Sequence, residues 1–246
     1  MHHARQFHAP LIRKGCSMSS GPQTRSVCFD RTGFPFIHIR NLNAWISWHP
    51  VSVIQLEYFL SDRPEPRFDN RWYNALKHVQ NRVSPGQIDK TNVDRLFATQ
   101  LIPAEIEDYC AWLSRTDGHV YRLPSAFEWK SVWDELKIGG DPPQLHFPRQ
   151  QERVRRLLEN TQTAAIELHR DKHRNSSGAA PISLAQRMFM ENGVRELCAG
   201  RNNDWFSHGR ALQTEDRNER PDQPLPFPNP SVRSDQLGFR LLREQQ

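Results

Sequence analysis

The chain has 246 residues, 37% of them hydrophobic and 25% charged, with 7 Trp, 13 Phe, 18 Pro and a formal net charge of +5. That composition excludes a mostly disordered chain and gives one globular domain, or at most two small ones, with an aromatic-rich core. The best apolar run, Val53–Leu60, is interrupted by Gln55 and Glu57, so no segment spans a bilayer, and the expectation is a soluble, cytoplasmic protein.

Residues 1–45 carry six basic side chains (Arg5, Arg13, Lys14, Arg25, Arg31, Arg40) and one acidic one, Asp30. The remainder is charge-balanced, so the whole positive excess lies in what reads as a basic N-terminal arm with one short strand at Phe36–Ile39. Its Arg-rich, acid-poor start is similar to an organelle transit peptide, whereas Met1–Ser20 lacks the apolar core of a secretory signal. Basic arms meet nucleic acid, an acidic protein surface or a membrane. Here Phe7, Leu11, Ile12, Phe29, Phe34, Phe36, Ile37 and Ile39 are interspersed among the cations. A phosphate-binding tail needs few such residues, so a protein partner is expected, with nucleic acid as the alternative.

The domain proper is expected over 46–246. Ser52-x-x-Gln55 is a capping box, and Val53, Leu56, Phe59 and Leu60 recur at helical spacing, which gives a helix over 52–61. Trp72, Leu76 and Val79 suggest a shorter helical stretch. Pro103 suits a first helical turn, and Ile106, Tyr109, Cys110 and Leu113 form one stripe, so a helix is expected over 103–115. Asp117-Gly118 turns the chain into a strand at Val120–Leu123. Ser125-x-x-Glu128 caps a further helix whose Trp129, Val132, Trp133 and Leu136 face inward, ended by Gly139-Gly140. Residues 149–173 read as a charged helical insertion. Val194–Ala199 and Gly238–Arg243 look like strands, and 201–236, rich in Asn, Asp, Arg and Pro, reads as a long irregular segment.

Five blocks, in order, carry a family resemblance. They are Pro50-Val51-Ser52-Val53-Ile54-Gln55-Leu56-Glu57-Tyr58-Phe59-Leu60, then Tyr109-Cys110 with Trp112-Leu113, then Tyr121-Arg122-Leu123-Pro124-Ser125-Ala126-Phe127-Glu128-Trp129-Lys130. The box Asn192-Gly193-Val194-Arg195-Glu196-Leu197-Cys198-Ala199-Gly200 and the closing Gly238-Phe239-Arg240-Leu241-Leu242-Arg243 follow. Over about 46–243 the chain resembles the formylglycine-generating enzyme, or sulfatase-modifying factor, superfamily. The resemblance implies an α+β, C-type-lectin-like fold, with two main helices on a small twisted antiparallel sheet and much ordered coil. The residues themselves read Tyr121, Trp129 and Phe239 as core and Arg122 with Glu128 as a buried pair rather than catalytic groups; Glu196 and Arg240 are the matched residues of the last two blocks.

The copper-dependent oxidases of that superfamily use two cysteines just before the closing block, and here no cysteine follows Cys198. Soft thiolate ligands are what hold Cu(I), so the resemblance implies a member without that chemistry. Cys16, Cys28, Cys110 and Cys198 have no metal-type spacing and read as small buried hydrophobes in a reducing compartment. Of the calcium-binding positions in the box, only Glu196 keeps its acidic type, so no cofactor is expected. What remains is a recognition surface on the irregular segment: Arg201, Asn202, Asn203, Asp204, Trp205, His208 and Arg210, with Trp205 as aromatic anchor. The expectation is a catalytically silent binding or scaffold subunit, and relatives of this kind occur in bacterial multi-protein systems, defence operons among them. Two alternatives stand beside it. One is a metal-dependent oxidoreductase using His146, His169, His173 or His208; the other is a nucleic-acid-binding accessory protein using the basic arm.

Overall fold

The strand expected at Phe36–Ile39 does form, but it does not lie on an arm. The computed structural model describes residues 25–62, 97–137, 194–202, 204–209 and 222–245. In it β1 (Val27–Phe29), β2 (Pro35–Ile39) and β3 (Ala44–Ser47) pair as successive antiparallel neighbours. The boundary expected at residue 45 is therefore wrong, and 27–45 belong to the folded domain. The reason lies in the pleat. Phe36 points to one face and Ile37 and Ile39 to the other, and all three are fully buried, the signature of a strand covered on both sides. Net charge hid that apolar run. The turn before β2 is tied down as well, because Thr32 Oγ1, the Phe34 amide and Gln55 Nε2 all donate to the carboxylate of buried Asp30. Arg25, expected to seek an outside partner, forms an ion pair at 2.7 Å with Glu135 of the same chain. Residues 1–24, the 72–79 stretch, the 149–173 insertion and the Gly139-Gly140 stop lie outside the described residues.

β4 (Tyr121–Arg122) and β9 (Leu242–Glu244) complete a five-stranded antiparallel sheet in the order β1-β2-β3-β9-β4. A second, mixed sheet runs β7-β6-β5-β8, with β5 (Arg195–Ala199), β6 (Trp205–Gly209), β7 (Leu225–Pro226) and β8 (Leu237–Phe239). Only β5 and β8 run parallel in it. The single strand expected over 238–243 is thus two strands in different sheets. Arg240 and Leu241 make the crossing, held by hydrogen bonds from the Val51 amide to the Phe239 carbonyl and from the Ser47 amide to the Leu241 carbonyl. The irregular segment expected over 201–236 likewise contains β6 and β7. Its end is pinned by Arg233, which grips the Glu105 carboxylate at 2.6 and 2.7 Å and donates to the Gln100 carbonyl.

The helices follow their sequence signals closely. α1 (Val53–Ser61) opens with the expected capping box, in which Ser52 Oγ accepts from the Gln55 amide and Gln55 Oε1 accepts from the Ser52 amide. α2 (Pro103–Asp117) has proline in its first turn and ends at Gly118, whose φ of 77° is the left-handed geometry glycine adopts without cost. α3 (Ala126–Lys137) is capped reciprocally by Ser125 and Glu128. Two apolar clusters result. One gathers α1 and α2 with Phe36, Tyr121, Leu197 and Phe239; the other packs Trp129, Val132, Trp133 and Leu136 of α3 against Ile37, Ile39, Ile46 and Cys198. Strand β5 separates them, with Leu197 in the first and Cys198 in the second. Among the described residues no helix is long and apolar enough to cross a membrane.

Candidate functional site

Three of the five sequence blocks converge on one buried carboxylate. Glu196, in the middle of β5, is fully buried, and Arg240 donates to it from Nε and Nη2 at 2.9 and 2.7 Å. Trp129 Nε1 donates to the same group at 2.8 Å. The remaining face of the guanidinium is taken up by the Ser47 and Trp48 carbonyls, at 2.6 and 2.7 Å from Nη1. A buried charge pair is tolerable only when its remaining donors and acceptors are also satisfied, as they are here. Both oxygens of Glu196 accept hydrogen bonds within this knot.

The second pair, Arg122 and Glu128, is half-buried rather than enclosed. Arg122 donates to Glu128 at 2.7 and 2.8 Å and to Glu244 at 2.8 Å. Burial by itself would raise Glu128, but the bonds from Arg122 and Ser125 outweigh it and hold its carboxyl down at about 2. Tyr121, Trp129 and Phe239 are core residues, as expected. The three described thiols are equally inert. Burial pushes Cys28 up to about 11 and Cys110 to about 12, and burial with the Glu196 charge raises Cys198 well above the ordinary thiol range. None is a thiolate at neutral pH, and the thiolate is the nucleophile and metal ligand.

The expected recognition surface is divided by the strand pleat. β5 and β6 form a hairpin with Ala199 opposite Trp205 and Glu196 opposite His208. Arg201, Asn202 and Asp204 occupy its exposed tip, while Asn203 and Arg210 lie outside the described residues. The tip needs Gly200, since a Cβ there would lie 2.6 Å from the Phe206 ring and 2.7 Å from the Asp204 carbonyl oxygen. Trp205 is half-buried against the first cluster. His208 is not a surface residue: it is fully buried on the opposite face, stacked on Trp129 with ring centroids 4.4 Å apart. Position 205 and position 208 fall on opposite faces of a strand because side chains alternate, and a loop assignment could not show that. The other histidines of the metal alternative, His146, His169 and His173, lie outside the described residues.

Trp205 does line a concave site. A cleft of about 370 Å³ opens between α2, β4 and the end of β5, walled by Glu107, Cys110, Tyr121, Leu123, Ala199 and Trp205. Its lining is largely apolar, with the exposed carboxylate of Glu107 at the rim, the composition typical of a recognition pocket. The α2 wall was missed by sequence reasoning. Its only sequence signal is Glu107 and Ala111, one turn apart beside Cys110, where a polar and a small residue replace bulk.

No protein-family model and no curated protein sequence matches the chain. Among solved structures, that of PvdO from Pseudomonas aeruginosa is similar. It has a TM-score of 0.45 at 15% identity, covering 92% of this chain and 100% of that one. A TM-score under 0.5 does not establish a common fold. The chain is a mixed α+β protein built on two sheets.

Proposed function

We propose that this chain is a divergent, catalytically silent member of the formylglycine-generating-enzyme superfamily, of C-type-lectin-like fold, that works as a binding or scaffold subunit in a bacterial multi-protein system. The observation that carries the reading is how the family-like blocks spend their chemistry. Arg240, Glu196 and Trp129 form a closed buried knot, and Arg122 is shared between Glu128 and Glu244. The described cysteines are at least half-buried, and burial raises each thiol above its ordinary value. These groups hold two sheets and a helix together and leave recognition to the hairpin tip and the Trp205 cleft.

Purified full-length protein tests this directly. Copper content and oxygen consumption with cysteine-containing peptides are expected to be nil, and Ala111→Trp, which fills the cleft, is expected to abolish co-purification of the native partner. Stoichiometric copper with turnover would overturn the reading, and so would a partner retained by both Ala111→Trp and a hairpin variant, Arg201→Ala/Asp204→Ala.

A further inference from the structure

His208 is fully buried, and neither of its ring nitrogens has a hydrogen-bond partner. Leaving both nitrogens of an imidazole unpaired in the interior costs free energy, and buried polar groups in folded proteins are nearly always paired. The position is also central. The ring lies nearly parallel to the Trp129 indole, 15° from coplanar, and that indole donates to Glu196. Three residues back on the same strand, Trp205 forms a wall of the cleft.

The surroundings favour the neutral ring. On β5, Glu196 stands opposite His208 but is committed to Arg240 and Trp129, while Arg195 adds positive charge. Lys130 of α3 adds more, and Asp222, ahead of β7, acts in the favourable direction. Burial dominates, followed by Arg195, and together they hold the imidazole down at about 4. An imidazolium in this slot would have no acceptor on either N–H.

We propose that His208 is an acid-sensitive latch, which clamps α3 and the β5–β6 hairpin together while its imidazole is neutral and releases the Trp205 wall of the cleft when the ring is protonated. The regulatory role rests on the binding reading of that cleft. The sign follows from linkage. The opened form takes up a proton near the ordinary value of 6.5 and the closed form near 4, so acidification favours opening, by roughly twentyfold between pH 7 and pH 5. Asp30, whose carboxyl burial raises to about 6, acts oppositely over the same range and is bonded to Gln55 in the first turn of α1.

Amide hydrogen exchange of the full-length protein, corrected for intrinsic rates and read on peptides spanning 126–137 and 205–209, tests the latch. The wild type is expected to open roughly twentyfold more at pH 5 than at pH 7, and His208→Phe, which keeps the stacked ring but does not titrate, is expected to show no such increase. Equal acceleration in both proteins, or none in the wild type, overturns the proposal. Should His208→Phe not fold, the wild-type imidazole is followed by NMR, and titration near 6.5 without local opening refutes the latch. Exchange needs no ligand, so a wild type that does not accelerate removes the latch and leaves the binding reading standing. Loss of binding in the cleft, conversely, leaves the exchange result intact.

Discussion

Replacing Glu196 by glutamine removes one charge and almost no volume from the centre of the molecule. The amide keeps one oxygen, enough for the Trp129 indole at 2.8 Å, but its NH2 group then faces a guanidinium that donates to that carboxylate from two nitrogens. Arg240 remains fully buried without the Glu196 charge, with the Ser47 and Trp48 carbonyls still accepting from its Nη1. Breaking one side of a buried pair in this way costs roughly 3–5 kcal/mol, mostly the penalty of the charge left behind. With a urea dependence of about 2 kcal/mol per molar, the unfolding midpoint should fall by roughly 1.5–2.5 M. The seven tryptophans, Trp129 among them, make fluorescence the natural readout. Glu196→Leu combined with Arg240→Met, which removes both charges, should recover much of the loss. A Glu196→Gln protein within about 1 kcal/mol of wild type, or a double variant as damaged as the sum of its singles, would refute the claim that this knot organises the two sheets.

Other consequences are smaller. Gly200→Ala forces a Cβ to within 3 Å of the Phe206 ring and the Asp204 backbone, and should lower stability by about 1–3 kcal/mol in thermal denaturation, as overpacking does. Ser125→Ala removes the acceptor for the Glu128 amide and should cost about 1 kcal/mol, measurable as a shift in chemical-denaturation midpoint. The depressed carboxyl of Glu128 contributes stability that is present above its ordinary value of 4.5 and is lost as pH falls from there toward 2. Glu128→Gln should therefore flatten the acid limb of the stability profile in that window; an unchanged limb between pH 4.5 and 2 would show that the pair with Arg122 contributes nothing. Thiol labelling of folded protein at pH 7 should leave Cys110 and Cys198 unmodified, since both are buried and protonated.

The three described helices were legible in the chain because their signals are local. A capping box, a first-turn proline or a stripe at three- and four-residue spacing acts within a few turns of backbone, so Ser52 with Gln55, Pro103 and Ser125 with Glu128 mark their helices whatever surrounds them. The strands were legible as segments and not as partners. Phe36–Ile39 and Gly238–Arg243 read as extended, but nothing local states that the first is covered on both faces or that the second changes sheets at Arg240.

That difference accounts for the misplaced boundary at residue 45 and for the histidine assigned to a surface. Pairing in a sheet is a non-local choice made by burial, and net charge, the quantity that marked the first 45 residues as an arm, is neutral about it. Once β2 lies between β1 and β3, its isoleucines meet α3, and Arg25 and the backbone amide of Arg40 both donate to Glu135. Sequence alone determined the residue types that meet at Glu196, and with them the helices and the absence of thiols beyond Cys198. Only the tertiary structure decided that those residues close on one another, that Trp205 faces a cleft while His208 faces the core, and that the cleft takes its far wall from Glu107 and Ala111. Each of these depends on which face of one element is pressed against another, a choice set by the burial of the whole core and not by any single segment.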